Sequence, residues 1–172
     1  MTILADKLIK VDHVTKKYGR FKAVRDASFT ADRGEIHAVL GPNGAGKTTL
    51  FRCMLGLLNF EGSITVDGND VRKGGKWIRG QVGYLPQHSS PYDDMSVEAN
   101  LKFYAGLKGI NSNRVEESLK EIRLTRFRDR KAGALSGGMK QRLMLGISQL
   151  ADPPILILDE PTANLDVQGQ LE

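Results

Sequence analysis

The 172 residues hold a single cysteine, Cys53, which excludes a disulfide framework and any cysteine-rich zinc site. Long hydrophobic runs are missing as well. The longest candidates are as short as Ile155–Leu158, far from the roughly 18 apolar residues that a membrane-spanning helix needs. Met1 to Lys10 mixes charged residues through its length and lacks the apolar stretch of a signal peptide. No internal repeat, low-complexity tract or linker interrupts the chain. These absences predict a soluble, cytosolic protein. Its length fits one domain, large enough to bury about two-thirds of its unfolded surface without a staple. Net charge is +5 and the pI about 9.4, but the basic residues are scattered. Even the richest run, Arg123 to Lys131, holds Asp129, so the charge reads as a solvated face and no nucleic-acid partner is expected.

What the sequence has in excess is glycine. Nineteen glycines exceed the average usage of about 7%, and they cluster at Gly41–Gly46, Gly74–Gly75 and Gly137–Gly138. Around them the chain alternates strand and helix patterns. Leu8–Val14 and Ala23–Phe29 read as strands separated by Tyr18-Gly19. The turn Asp32–Glu35 leads into Ile36–Leu40, an apolar run suited to a buried parallel strand. A glycine loop follows, and then a helical pattern over Lys47 to Leu58. Ser63–Val66 and Val82–Leu85 predict further strands, and Trp77 reads as a loop anchor. Ser96 predicts the cap of a helix towards Gly109, and Ser112 that of a second with Val115, Leu119 and Ile122 on one face. Ser136 predicts a third, carrying Leu143, Ile147 and Leu150. Asp152-Pro153-Pro154 stops it before the buried strand Ile155–Leu158. The resulting order is α/β, with a helical insert over approximately residues 90–150.

Three segments carry chemistry. Gly41-Pro42-Asn43-Gly44-Ala45-Gly46-Lys47-Thr48 matches G-x-x-x-x-G-K-[ST] in full and sits between a strand pattern and a helix pattern. A loop that wraps a polyphosphate must point successive backbone N–H groups inward, which glycine permits. The following helix N-terminus adds partial positive charge. Lys47 offers a cation to the outer phosphates, and Thr48 a hydroxyl to Mg2+. Asp159 and Glu160 end the last apolar strand, where one carboxylate can hold Mg2+ through water and the next can polarise an attacking water. Ser136-Gly137-Gly138 exposes backbone N–H groups at a helix start and makes a second anion site, one more than a single nucleotide explains.

In this order and spacing the segments resemble the nucleotide-binding subunit of ATP-binding cassette (ABC) transporters, over about residues 8–172. Residues 41–48, with Thr49 beside them, resemble Walker A. Gln87 in Leu85-Pro86-Gln87 resembles the Q-loop glutamine, a metal ligand with Thr48 and Asp159. Leu135–Met139 resembles the signature motif, Ile155–Asp159 Walker B, Glu160 the catalytic glutamate, and Ala163–Asp166 the D-loop, with Asp166 at its end. Tyr18, 29 residues before Lys47, resembles the aromatic residue that stacks on adenine. The resemblance implies a P-loop NTPase core with an N-terminal antiparallel β region and a helical insert bearing the signature. It implies ATP and Mg2+ as cofactors and ATP hydrolysis coupled to transport. It further implies a transmembrane permease subunit as partner, peripheral placement on the cytoplasmic face of the membrane, and a second nucleotide-binding subunit paired head to tail. Each ATP would then lie between one subunit's Walker A and the other's signature, which accounts for the second anion site.

Two departures stand out. The signature ends in Met139 where the family has Gln, in a variant resembling the drug-resistance and lipid-exporter-like branch. The family's switch histidine lies beyond the D-loop, whereas His13, His37 and His88 all precede Walker B and the sequence ends at Glu172. The resemblance therefore implies a single ATP-binding domain truncated after the D-loop. Such a domain should hydrolyse ATP poorly and leave Ile155–Leu158 or a neighbour as an unpaired edge. Two alternatives remain: a soluble translation-factor-like ABC ATPase, and a fragment that binds ATP without turnover. Chromosome-type ATPases are excluded, because the stretch from Thr48 to Leu135 holds no sustained heptads.

Overall fold

A computed structural model describes residues 7–161. They divide into two compact units, one ending at Arg79 and the other beginning at Gly80.

The first unit is built on an antiparallel hairpin, β1 (Lys7–Tyr18) and β2 (Phe21–Asp32), closed where Tyr18 pairs with Phe21. β3 (Glu61–Val66) and the two-residue β4 (Asn69–Asp70) complete a sheet of order β2-β1-β3-β4. Alternation in β3 turns Ile64 and Val66 into the core, and in β1 the irregularity between Val11 and Val14, around the left-handed His13, brings both of those valines inward. Helix α1 (Lys47–Met54) lies against β2 and β3 and buries Leu50, Cys53 and Met54. It ends sooner than its apolar spacing predicts. The backbone turns left-handed at Gly56 (φ +65°), and the Leu57 N–H reaches back to the Arg52 carbonyl at 2.9 Å. Trp77 sits in a short helix, α2 (Gly75–Gln81), rather than in a loop, with Ile78 as its buried anchor. The glycines flanking Trp77 hid this element from the pattern.

The principal correction concerns Ile36–Leu40. The run belongs to no strand of the described residues, and Ile36 and Leu40 are 98% and 89% exposed. Apolar composition suits it to a buried strand, but a strand also needs a partner edge, and no ladder reaches these residues.

The second unit pairs β5 (Val82–Leu85) in parallel with β6 (Ile155–Leu158), in the register Tyr84↔Ile157 and Leu85↔Leu158. Three helices surround a core of Leu101, Leu119, Leu143, Leu150 and their neighbours: α3 (Val97–Lys108), α4 (Asn113–Glu121) and α5 (Gly137–Gln149). Ser96 caps α3 as its sequence predicts, accepting the Ala99 N–H at 3.1 Å. Ser112 does not cap α4. Its backbone is already helical, and Asn111 Oδ1 instead accepts the Asn113 N–H at 3.0 Å. No helix of the described residues is long and apolar enough to cross a membrane.

Candidate functional site

Within the first unit the loop 41–46 curls ahead of α1. Gly44 (φ +81°) and Gly46 (φ +94°) take left-handed conformations, the backbone geometry from which a nest of N–H groups able to bind an anion can be built. Gly46 has no room for a side chain, since a Cβ there would stand 2.0 Å from the Ala23 carbonyl oxygen. That close approach anchors the loop on β2, two residues from Phe21, the ladder partner of Tyr18. Tyr18 is 48% exposed, with the Lys16 ammonium 5.0 Å from its ring centre. Its ring thus stands at the loop's end of the hairpin and presents a face for stacking.

The α1 N-terminus holds no acidic residue in its first turn, so nothing there opposes an incoming anion. Lys47 Nζ donates to the carbonyls of Gly41 (2.8 Å) and Pro42 (3.2 Å), which folds its side chain back over the loop. An ammonium has three donors and can therefore serve loop carbonyls and a phosphate oxygen together. Pro42, Asn43 and Ala45 shape the turn through the Ala45 N–H to Pro42 carbonyl bond of 3.1 Å. Thr48 and Thr49 follow in the first turn of the helix, partly exposed.

In the second unit β6 delivers its acidic pair at its C-terminal end. Asp159 is 1% exposed and its amide donates to the Leu85 carbonyl at 2.9 Å, which extends the parallel pairing past the strand. The Tyr84 hydroxyl approaches Asp159 Oδ2 at 3.4 Å, while the buried Oδ1 has no hydrogen-bond partner among the described residues. A buried carboxylate oxygen without a partner is costly unless something binds it, and a hydrated divalent cation has the required chemistry. The donor set therefore fits Mg2+. Next in the chain, Glu160 takes a left-handed backbone (φ +53°). Its Oε2 accepts from Gln87 Nε2 at 2.5 Å, which joins the loop after β5 to the second carboxylate.

Ser136 caps α5, its Oγ accepting the Met139 N–H at 3.3 Å, with Gly137 and Gly138 opening the helix. The approach to this cap is fixed by the loop before α3. The Ala132 N–H bonds the Met95 carbonyl (2.9 Å), the Gly133 N–H bonds the Asp93 carbonyl (3.0 Å), and Lys140 pairs with the Asp93 carboxylate at 2.9 Å. Asn100, fully buried, holds that loop in turn by bonding both the N–H and the carbonyl of Tyr92 and the carbonyl of Ser96. Asp166, with the rest of the D-loop, lies outside the described residues.

Sequence reasoning missed three residues around the acidic turn and the cap: Tyr84, Asn100 and Gln141. Tyr84 lies in a segment read as a strand, but its approach to Asp159 depends on the β5–β6 register, which no local pattern contains. Asn100 and Gln141 sit inside helical patterns, where a polar residue reads as a solvated position.

Comparison with known proteins gives the family. The ABC transporter family profile matches residues 24–163. The daunorubicin resistance ATP-binding protein DrrA3 of Streptomyces coeruleorubidus is 38% identical over 98% of this chain and 55% of its own length. The ABC transporter ATP-binding protein NatA of Bacillus subtilis is 38% identical over 85% of this chain and 62% of its own. The chain thus spans just over half the length of these relatives. Among solved structures, cbiO1 from Clostridium perfringens, part of the ABC transporter complex cbiONQ, superposes with a TM-score of 0.82 at 31% identity, covering 95% of this chain and 69% of that one. The chain belongs to the ABC transporter family, among its ATP-binding components.

Proposed function

We propose that the chain binds MgATP and serves as the ATP-hydrolysing part of a transporter whose membrane-crossing subunit is a separate protein. The observation that carries this reading is the loop 41–46, with two left-handed glycines, a lysine folded over it and a helix N-terminus free of acidic residues. In the mechanism we propose, the loop of residues 41–46, through the N–H groups of its residues other than Pro42, and Lys47 hold the triphosphate, and Tyr18 stacks on the adenine. Thr48, Gln87 and Asp159 would hold Mg2+, which supplies charge neutralisation of the phosphates. Glu160 accepts a proton from the attacking water, and Gln87 steadies its carboxylate.

Residues 1–172 would act as a single ATP-binding domain. Ser136, Gly137, Gly138 and Asp166 would serve the nucleotide of a second, head-to-tail subunit, at the cytoplasmic face of the membrane.

The experiment is Glu160→Gln, with binding and hydrolysis measured side by side. The mutant should keep its ATP affinity while phosphate release falls to background. Equal turnover in mutant and parent would assign the proton transfer to another group.

A further inference from the structure

The turn that carries the acidic pair is held in a conformation its own residues disfavour. Glu160 has φ +53° and precedes Pro161. A left-handed backbone is uncommon for a residue with a Cβ, and a following proline restricts it further. Such a conformation costs about 1–3 kcal/mol and persists only where surrounding contacts over-determine it.

Those contacts come from two directions. From β5 and the loop after it, the Leu85 carbonyl takes the Asp159 N–H, and Gln87 takes the Glu160 carboxylate. From α5, Gln141 Nε2 donates to the Pro161 carbonyl at 2.7 Å. Pro161 has no N–H, so its carbonyl is the one main-chain hydrogen-bonding handle at that residue. Gln141 stands five residues after Ser136, little more than one helical turn along α5. A displacement of that helix end therefore shifts the Ser136 hydroxyl and the Pro161 carbonyl together.

We propose that Gln141 is a positioning residue for Glu160: from α5 it grips the Pro161 carbonyl and so fixes the turn that aims the Glu160 carboxylate. This rests on the role proposed above for Glu160. It goes beyond that role by making the helix capped by Ser136 a determinant of where the proton acceptor points. If Gln141 merely satisfies a stray carbonyl, its loss should lower stability in general and leave the carboxylate's placement untouched.

The test compares the parent chain with Gln141→Leu, which matches the side chain in bulk but cannot donate, and with Gln141→Glu, which is isosteric and presents an acceptor to the carbonyl. Steady-state ATPase should show kcat reduced about tenfold or more in both variants, with KM for ATP changed by less than about twofold, as expected when orientation is lost and binding is kept. Hydrogen exchange read by mass spectrometry should be faster for the peptide spanning residues 155–160 and unchanged in the buried part of α3. Unchanged kcat, a parallel decline of kcat, KM and thermal midpoint, or identical exchange at 155–160 would overturn the proposal. A parent without any ATPase activity would refute the hydrolytic reading instead, and the exchange comparison would still decide whether Gln141 holds the turn.

Discussion

Asp159 is the residue at which burial and chemistry meet most sharply. Its side chain is shielded from water, one oxygen lies near the Tyr84 hydroxyl, and the other has no partner among the described residues. Asp159→Asn keeps the shape and removes the charge a divalent cation needs. ATP alone should then bind within about twofold of the parent, while added Mg2+ should no longer strengthen binding; calorimetry with and without a chelator reads both.

A second residue-scale prediction concerns His13 and Asp26, which bulge from the β1–β2 ladder with left-handed backbones and share a 2.7 Å bond. That hydrogen bond, then the charge of Asp26, then that of Asp12, raise the His13 pKa above 6.5. A raised folded pKa means the pair's contribution is complete below the unfolded value and is lost as pH climbs through the folded one. Asp26→Asn should therefore lower the thermal midpoint most near pH 5, with the difference from the parent shrinking towards pH 8. A constant difference across that range would show that the pair does not titrate.

Residues 41–48 could be singled out in the sequence because a phosphate-binding loop demands residue types at fixed, local spacing. The His13–Asp26 pair was not, because its two residues lie thirteen apart and meet only through ladder register.

At the scale of elements, packing of α5 on the parallel pair sets where Asp159 and Ser136 stand. Gly83 on β5 is the tight point. A Cβ there would lie 2.4 Å from the Ser148 carbonyl oxygen and 2.9 Å from Leu156 Cδ1. Gly83→Ala forces α5 away from the strands at a cost of roughly 1–3 kcal/mol, and each kcal/mol lowers the midpoint by about 2–4 °C for a chain of this size. A thermal melt within a degree of the parent would mean the helix yields without cost. The caps at Ser96 and Ser136 could be read from sequence because a hydroxyl before an apolar helical run meets a local demand. The cap of α4 could not. Asn111 and Ser112 are both competent, and the backbone conformation of Ser112 gives the role to Asn111. Ile36–Leu40 shows the limit of composition. Its residues suit a buried strand, yet pairing is a long-range property that no local pattern contains.

Across the whole molecule the chemistry is divided by unit. The glycine loop 41–46 and Tyr18 belong to the first. The acidic turn, Gln87 and the Ser136 cap belong to the second. The order of motifs along the chain placed each candidate segment at the end of a strand or the start of a helix, but it pointed to a single domain and not to a division into two units. What the order could not reveal is how the acidic turn is braced, since Tyr84, Gln87 and Gln141 reach it from sequence separations of 20 to 75 residues.

The central claim is that residues 41–48 bind the phosphates of ATP, and calorimetric titration of the parent and Lys47→Ala with MgATP tests it most directly. The account predicts saturable binding to the parent and an affinity at least about tenfold weaker in the variant, the equivalent of about 1.4 kcal/mol. The thermal midpoint without nucleotide should fall by no more than about 4 °C, through loss of the Lys47 bonds to the loop carbonyls. Equal affinity in the two proteins, or no binding to the parent, would contradict it.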